Sequence, residues 1–283
     1  MLVFTTNKKR LVRHFRKDPV LFGYHIGDLD DFFFPDCLWT TLVGEHADIG
    51  DVILTYVGGD TPTVHAFGLG NAFETLLREY LPIAPKQFYC HFQKQHHGVF
   101  RDFADESPLG THLKMKLDPA AFTRYQAAAI SGVGRPGPTQ LSRSGPRHHH
   151  DGCSIVRLDP SHEAALLNLY AIAYPDNYFT PRMLQTGKYF GCVHNGSIIA
   201  VAGVHVVSDE HKIAVLGNIT THPDHRGRGL ATDITSALVA ELASEEKLVC
   251  LNVKADNAPA LACYRKLGFV PVHEYEESLF ELR

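Results

Sequence analysis

The 283-residue sequence predicts an α/β protein built around a mixed sheet. In residues 153–283 the apolar spacing gives the order strand, helix, three strands, helix, strand, helix, strand. Asn195-Gly196, between two apolar segments, is a strong signal for a two-residue hairpin. A stretch rich in glycine and proline precedes this half. We therefore predict an N-terminal α/β domain at 1–130, a linker at 131–152 and a C-terminal domain at 153–283.

The first region has the less regular pattern. Residues 51–56 and 63–67, separated by Gly58-Gly59-Asp60, are predicted to form a hairpin, and residues 72–80 a helix. Further strands are predicted at 87–92 and 112–117, the latter followed by a helix that begins with aspartate and proline.

The second region is clearer. Asp159-Pro160 supplies a capping carboxylate and a first-turn proline for the first helix. The predicted strands are 154–158, 188–194, 198–207, 212–221, 247–253 and 269–282, and the later helices are 230–242 and 258–267.

The stretch Arg226-Gly227-Arg228-Gly229 joins a predicted strand to the helix that begins at Leu230. Its two glycines let the backbone approach a ligand closely. The helix start adds unpaired N–H groups and the positive end of the helix dipole. We predict an anion-binding turn suited to a pyrophosphate.

Downstream of this turn come a strand, Asn257, a helix carrying Tyr264, and Gly268-Phe269. Arg-x-x-Gly-x-Ala followed by these features in this order resembles the GNAT superfamily of acyl-CoA-dependent N-acyltransferases. The predicted element order is also that of a complete GNAT domain. The resemblance covers about 152–283 well, and 1–130 only by a loose order of elements.

The resemblance implies that acetyl-CoA is the co-substrate and that coenzyme A is the product. In the family, the strand before the glycine turn parts from its neighbour, and its backbone groups pair with the pantetheine arm. On this basis Ile219 contacts the acyl carbonyl, Thr221 contacts the pantetheine, and Asn257 reaches the cofactor. The residues assigned to the cofactor are Ile219, Thr220, Thr221, Arg226, Gly227, Arg228, Gly229, Leu230, Ala231, Thr232 and Asn257.

Tyr264 matches the general acid of the family. A phenol with an ordinary pKa of about 10 stays protonated at neutral pH and can donate its proton to a leaving thiolate. A core tyrosine on an amphipathic helix is the alternative.

The base is less evident. Many GNAT enzymes place a glutamate on the strand before the turn, where this chain has Gly217-Asn218. His205, on the adjacent strand, is the candidate base because an imidazole titrates near neutral pH. A structural histidine would look the same in sequence. His222 and Glu210 are weaker candidates, and water that relays the proton to bulk solvent is as plausible as His205.

The acceptor is expected to be an amine of a small molecule or a peptide. The segment 174–179 is rich in aromatic and polar residues and follows the first helix, where it would line the acceptor pocket. A purely structural loop is equally compatible. The residues assigned to the substrate are Tyr174, Asn177, Tyr178 and Asn218.

In the first region, Gly68-Leu69-Gly70-Asn71 stands where a second anion-binding turn would be. No arginine precedes these glycines. We predict a degenerate GNAT-like domain without coenzyme A binding, which serves a structural or substrate-shaping role.

The formal net charge of −4 gives no basic footprint for nucleic acid, and no apolar run has transmembrane length. The basic N-terminus lacks a secretory segment; we interpret it as a helix with Leu11, Phe15 and Val20 turned inward, a transit peptide being the alternative. Six scattered cysteines favour reduced thiols and a cytoplasmic location. The 18 histidines include a triplet at 148–150, but its spacing is not that of a zinc site, so no metal is expected.

The leading hypothesis is an N-acetyltransferase that works by direct attack in a ternary complex. Cys263 suggests a covalent route, but adjacent helical residues point in different directions, so it should not face the cofactor together with Tyr264. A non-catalytic acyl-CoA sensor and an enzyme using a longer acyl-CoA are the competing hypotheses. The resemblance is compatible with a homodimer.

Overall fold

The structure, a computed structural model, describes residues 1–42, 49–130, 147–148 and 153–283. The chain forms two compact units. Unit 1 comprises Met1–Lys114, Val253–Asn257 and Pro271–Arg283, and unit 2 comprises Met115–Asn252 and Ala258–Val270.

In unit 1, a sheet is flanked by short helices. Its strands lie in the order β1, β2, β3, β4, β5 and β13 (Phe269–Leu282), with β4 and β5 parallel and the other pairs antiparallel. The predicted hairpin, helix and strands are confirmed, and β6 is longer than expected. The elements are β1 (Leu2–Phe4), α1 (Lys8–Phe15), α2 (Gly23–Gly27), β2 (Cys37–Leu42), β3 (Val52–Tyr56), β4 (Thr63–Ala66), α3 (Phe73–Tyr80), β5 (Gln87–Phe92), α4 (His97–Phe103) and β6 (Ala104–Leu117).

In unit 2, the strands lie in the order β12, β11, β10, β9, β8, β7, with only β11 and β12 parallel. The predicted order of elements in this half is confirmed, and the β9–β10 hairpin turns at Asn195 and Gly196, both with positive φ. The elements are α5 (Pro119–Ile130), β7 (Arg147–His148), β8 (Ser154–Leu158), α6 (Glu163–Ala173), β9 (Tyr189–His194), β10 (Ser197–Ser208), β11 (Ile213–Thr221), α7 (Leu230–Ser244), β12 (Leu248–Lys254), α8 (Ala258–Lys266) and β13 (Phe269–Leu282).

The compact units divide the chain differently from the domains predicted at 1–130, 131–152 and 153–283. Helix α5 belongs to unit 2, where the Asp118 amide donates to the Gly268 carbonyl at 2.9 Å. The end of β13 belongs to unit 1, where it pairs with β5. Pairing between strands so distant in sequence leaves no mark on local composition. Most of the predicted linker, 131–146 and 149–152, lies outside the described residues.

The two faces of the unit 1 sheet differ in chemistry. On one face, apolar side chains of β4 and β5 pack with α3 and α4 into a closed hydrophobic core. Because side chains alternate along a strand, His65 of β4 and its cross-strand partner His91 of β5 point to the other face. Lys114 also lies on this face. It is 2% exposed, and its Nζ lies 4.4 Å from the ring centroid of Phe67.

His25 is fully buried in this second face. Its ring centroid lies 4.9 Å from that of Phe15 and 5.6 Å from that of His65. Burial lowers the pKa of His25 well below its ordinary range, and the charges of Lys114 and His14 lower it further. His25 is therefore neutral in the folded protein at neutral pH, whereas in the unfolded chain it takes up a proton near pH 6.5.

We expect unit 1 to lose stability as the pH falls below the ordinary histidine pKa of 6.5. The lowered pKa of His25 means that the unfolded chain binds more protons in this range, so its stabilising contribution is complete above pH 6.5 and declines below it. The loss for this one group is up to about 1.4 kcal/mol per pH unit. Thermal unfolding of the wild type and of His25→Leu between pH 7.5 and 5.5 measures it. The wild-type midpoint should fall more steeply; parallel curves for the two proteins would contradict the assignment.

Candidate active site

The glycine turn of unit 2 has the backbone of an anion-binding site. Gly227 and Gly229 have φ of 74° and 83°, a region that L-residues rarely adopt. Gly229 caps α7, and the Asp233 amide donates to the Gly229 carbonyl at 3.1 Å. The amides from Gly229 onward in the first turn of α7 come before any intrahelical partner, so they are available to an anion together with the helix dipole. A Cβ on Gly227 would meet nothing within 4 Å, so its conformation, not space, requires glycine.

Arg226 ties this turn to its surroundings. Its guanidinium donates from Nε to the Thr221 carbonyl at 3.1 Å and from Nη2 to the Ala173 carbonyl at 3.2 Å. Ala173 is the last residue of α6, where carbonyls lack helical partners and a cation is favourable. Arg226 thus fastens the turn to the ends of β11 and α6, a role that the sequence pattern did not reveal. Arg228 lies with Nη1 3.0 Å from His225 Nδ1.

Beside the turn, β11 leaves its parallel neighbour. The paired register of β11 with β12 ends at Leu216 and Leu251, although β11 continues to Thr221. The register of β11 with β10 also slips here by one residue. Asn218 lies in this bulge with φ of 55°. The segment 219–221, assigned by resemblance to the acyl and pantetheine groups, therefore follows a bulge and has parted from β12.

His205 occupies a second bulge, on the facing strand β10. Val204 pairs with Leu216, and Val206 pairs with Val215, so His205 is the additional residue. Its imidazole lies against Gly217: a Cβ built there would be 1.9 Å from His205 Cδ2. The imidazole thus fills the place of a side chain at the position just before Asn218. Glycine at 217 is explained by this ring, which the sequence pattern did not indicate.

A buried polar network lies beneath the two bulges. Asn218 is 3% exposed, and its Nδ2 donates to the Tyr189 hydroxyl at 2.9 Å. The Tyr189 hydroxyl donates to the Val204 carbonyl at 2.9 Å. The Tyr170 hydroxyl donates to the Asn218 carbonyl at 2.8 Å. Asn218 was predicted to contact substrate; the structure places its side chain inside unit 2 as a bridge between strands. Tyr170 and Tyr189 were not singled out from the sequence.

Tyr264 is 8% exposed, with its ring edge-on to Phe269. Burial raises the pKa of Tyr264 well above the usual value of a phenol, and the neighbouring Cys263 and Tyr174 raise it further. The phenol is therefore protonated throughout the neutral range.

Cys263 faces α7. The Thr232 hydroxyl donates to Cys263 Sγ at 3.3 Å. Burial raises the pKa of the Cys263 thiol, so the nucleophilic thiolate is disfavoured at neutral pH. This environment favours direct attack over a covalent route through Cys263.

The predicted acceptor loop is held by Asn177. Its Nδ2 donates to the Tyr174 carbonyl at 2.7 Å, and its Oδ1 accepts from the Phe179 amide at 2.9 Å. Both ends of the amide therefore shape the loop. Tyr174 and Tyr178 are 38% and 37% exposed and can meet a ligand.

Asn257 immediately precedes α8, the position that the sequence predicts for a helix cap. Its amide donates to the Lys254 carbonyl at 3.0 Å, and both residues belong to unit 1. Its contact with the cofactor remains a prediction.

The corresponding turn of unit 1, residues 68–71, already holds an anion. The Asp51 carboxylate accepts from the amides of Leu69 and Gly70, both at 2.9 Å, and lies 3.5 Å from His14 Nε2. Burial alone would raise the pKa of Asp51, but the nearby His14 and the hydrogen bonds from the two amides lower it. Asp51 therefore fills the position at which a phosphate would bind.

The strands beside this turn also stay together. The parallel pairing of β4 with β5 continues to the last residue of each strand, Ala66 and Phe92. Unit 1 thus lacks, in its described strands β4 and β5, the parting that β11 and β12 show. Both observations support the expectation that unit 1 does not bind coenzyme A.

Two common kinds of feature are absent from the described residues. No three His, Cys, Asp or Glu side chains in the described ranges are grouped as metal ligands. No helix in the described part of the chain combines the length and apolarity that spanning a membrane requires. The histidine triplet at 148–150 lies outside the residues whose side chains are described.

Comparison with known proteins identifies the class. Residues 156–269 match the family model described as the acetyltransferase (GNAT) family. This part of the chain therefore belongs to the GNAT family. The chain is 34% identical over 103 residues to the [ribosomal protein bS18]-alanine N-acetyltransferase of Escherichia coli K12, and equally to that of Shigella flexneri. The match covers 35% of this chain and 66% of those relatives.

Solved structures resemble this chain in fold. A Drosophila protein has a TM-score of 0.71 at 14% identity and covers 99% of this chain and 98% of its own. A tandem GNAT protein from the clavulanic acid biosynthesis pathway has a TM-score of 0.59 at 15% identity, covering 100% and 98%. The predicted α/β fold with mixed sheets is confirmed, with a GNAT fold in the second half and a GNAT-like region in the first.

Proposed function

We propose that unit 2 is an acetyl-CoA-dependent N-acetyltransferase. The observation that carries this proposal is the glycine turn at the start of α7 next to the point where β11 leaves β12. The turn supplies amides for a pyrophosphate, and the parted strand supplies backbone groups for an extended amide-bearing arm. Coenzyme A carries both groups in one molecule.

The chemistry follows from the groups at this site. The acceptor amine attacks the thioester carbonyl carbon, so that a C–N bond forms and the C–S bond breaks. The amine gives up one proton, which we assign to His205, and the leaving sulfur gains one, which we assign to Tyr264. The raised pKa of Tyr264 keeps that proton available at neutral pH. A backbone N–H of the segment 219–221 would stabilise the oxyanion.

His205 is the base that the geometry supports best. It lies on the bulge that faces β11, and its ring covers Gly217, next to the parted segment. We expect His205→Gln to lower kcat by about 100-fold, since general base catalysis contributes on this order. Acetyl-CoA affinity should change little, because the glycine turn is untouched.

Steady-state kinetics across pH 6–9, with titration calorimetry for affinity, test this assignment. His194→Gln, a partly buried imidazole at the end of β9 and outside the two bulges, is the matched control. Equal kcat values for wild type and His205→Gln would indicate that water, and not His205, accepts the proton.

For the acceptor we propose a primary amine of a peptide or a small molecule. The similarity to an enzyme named for acetylating an alanine of a ribosomal protein supports a peptide α-amine. The exposed tyrosines Tyr174 and Tyr178 offer aromatic surface to such a chain. The location that we propose is the cytoplasm, where the six cysteines would stay reduced.

The deciding experiment measures coenzyme A release from acetyl-CoA over a panel of amines. The panel contains a peptide with a free N-terminal alanine, the same peptide with a blocked N-terminus and one lysine, and small diamines. Release with the first peptide alone assigns the α-amine. Binding of acetyl-CoA without turnover on any amine would favour an acyl-CoA sensor. Turnover only with longer acyl-CoA donors would show that the transferred group is longer than acetyl. No binding would contradict the proposal.

A further inference from the structure

We propose that Tyr189 is a positioning residue for the proton transfer: its hydroxyl holds both β-bulges in register and thereby fixes His205 beside the parted segment. This inference rests on the proposed function, because His205 is the base only if unit 2 transfers acetyl groups. Tyr189 itself is fully buried, so it does not contact substrate.

Tyr189 is fixed from two sides. Its ring lies over Gly203, where an added Cβ would be 2.2 Å from Tyr189 Cε1. Its ring also packs edge-on to Phe179, with 5.5 Å between the centroids. Gly203 and the ring of Phe179 thus flank the phenol on two sides.

The hydroxyl connects the two bulges. It donates to the Val204 carbonyl, which belongs to the peptide unit that leads into His205. It accepts from Asn218 Nδ2, and Asn218 is the residue with φ of 55° in the bulge of β11. The Tyr170 hydroxyl holds the same residue through its carbonyl. One oxygen atom thus joins the backbone before His205 to the side chain of the residue after Gly217.

The bridge depends on a neutral phenol. Burial raises the pKa of Tyr189, so its proton stays in place and its donor role toward Val204 is constant. Removal of the oxygen would leave a buried carbonyl and a buried amide without this partner, an arrangement costly enough to move the backbone. A shift of the backbone at Val204 changes where the next side chain, His205, points. A misplacement of a catalytic group by about 1 Å can lower a rate by about 100-fold. We therefore expect loss of the Tyr189 hydroxyl to lower kcat.

The test compares Tyr189→Phe with Tyr80→Phe. Tyr80 is a matched control: it is similarly buried, its hydroxyl lies 2.6 Å from Thr55 Oγ1, and it belongs to unit 1. We expect Tyr189→Phe to lower kcat by about 10- to 100-fold while the KM for acetyl-CoA changes less than about twofold. The ring 1H and 13Cε1 resonances of His205, assigned by their loss in His205→Gln, should shift in Tyr189→Phe and stay in place in Tyr80→Phe.

Asn218→Gly provides a second variant if Tyr189→Phe folds poorly. Glycine relieves the positive φ at this position and removes the amide donor to Tyr189. We expect the same displacement of the His205 resonances.

Unchanged His205 resonances in both variants, or a loss of activity matched by Tyr80→Phe, would overturn the positioning role. If the wild type transfers no acetyl group to any amine, the proposed function fails, and the resonances still decide whether Tyr189 holds His205.

Discussion

Replacement of Gly227 and Gly229 together by alanine is expected to weaken acetyl-CoA binding by about 100-fold or more, equivalent to about 2.7 kcal/mol. Both residues have positive φ, where an L-side chain costs about 1–2 kcal/mol each. The turn would relax to negative φ, and its amides would no longer converge on one anion. Titration calorimetry of acetyl-CoA into each purified variant gives the affinity.

The chain offers a matched control in the same unit. Gly187 and Gly196 have φ of 66° and 78°, and a Cβ on either would meet nothing within 4 Å. The double variant Gly187→Ala/Gly196→Ala should lose similar stability and keep its affinity for acetyl-CoA. Equal weakening of acetyl-CoA binding in both double variants would mean that strain in unit 2, and not the turn, controls binding. Undiminished affinity in Gly227→Ala/Gly229→Ala would contradict the assignment of the turn as the pyrophosphate site.

The second large effect is expected at Tyr264. Tyr264→Phe should lower kcat by about 100- to 1000-fold, within the range of general acid catalysis, and leave the acetyl-CoA affinity within about twofold. The raised pKa of Tyr264 means that its proton is retained beyond the ordinary pKa of 10, so wild-type activity should not decline through this group up to pH 9. Single-turnover rates with acetyl-CoA and the best acceptor measure the chemical step.

A more acidic thiol in the donor sharpens this test. A leaving thiolate that is stable without a proton needs no acid, so the deficit of Tyr264→Phe should shrink with such a thioester. Tyr125→Phe is the control: this phenol lies on α5 in unit 2, and burial raises its pKa to about 12. A deficit that is the same for both donors would show that Tyr264 supports packing and does not donate the proton.

Local patterns predicted the local structure well. The strands and helices of residues 153–283, the Asn195-Gly196 hairpin and the glycine turn all follow from periodicity and turn chemistry within a few residues. The inward positions of Leu11 and Phe15 on α1 are likewise confirmed. Each of these features depends on neighbours along the chain.

Features that depend on residues distant along the chain could not be predicted from local sequence patterns. The pairing of β13 with β5 joins segments almost 200 residues apart, and nothing in either segment records the partner. Gly203 and Gly217 have the same origin, since each is required by an aromatic ring from a neighbouring strand.

Side-chain roles were the hardest part of the site to predict. Asn177 and Asn218 carry amides that could bind a substrate. Residue type alone cannot show that the Asn177 amide and Asn218 Nδ2 already have partners within the protein. Arg226 was assigned to the cofactor, but its guanidinium is shared between two backbone carbonyls. The hydrogen-bonding capacity of a residue is known from its type, whereas the partner that takes it up is set by the fold.

Because Asp51 occupies the turn of unit 1, we expect the two glycine turns to respond differently to anions in solution. An anion attached to the same chain has an effective concentration of about millimolar or more at its binding position, however little of any free anion is present. A free phosphate compound must outcompete this tethered carboxylate to reach the amides of Leu69 and Gly70. The anion at the unit 1 turn is therefore part of the chain itself, and its presence does not depend on the supply of a free ligand. Of these two turns, we expect the one before α7 to fill and empty as the supply of its ligand changes.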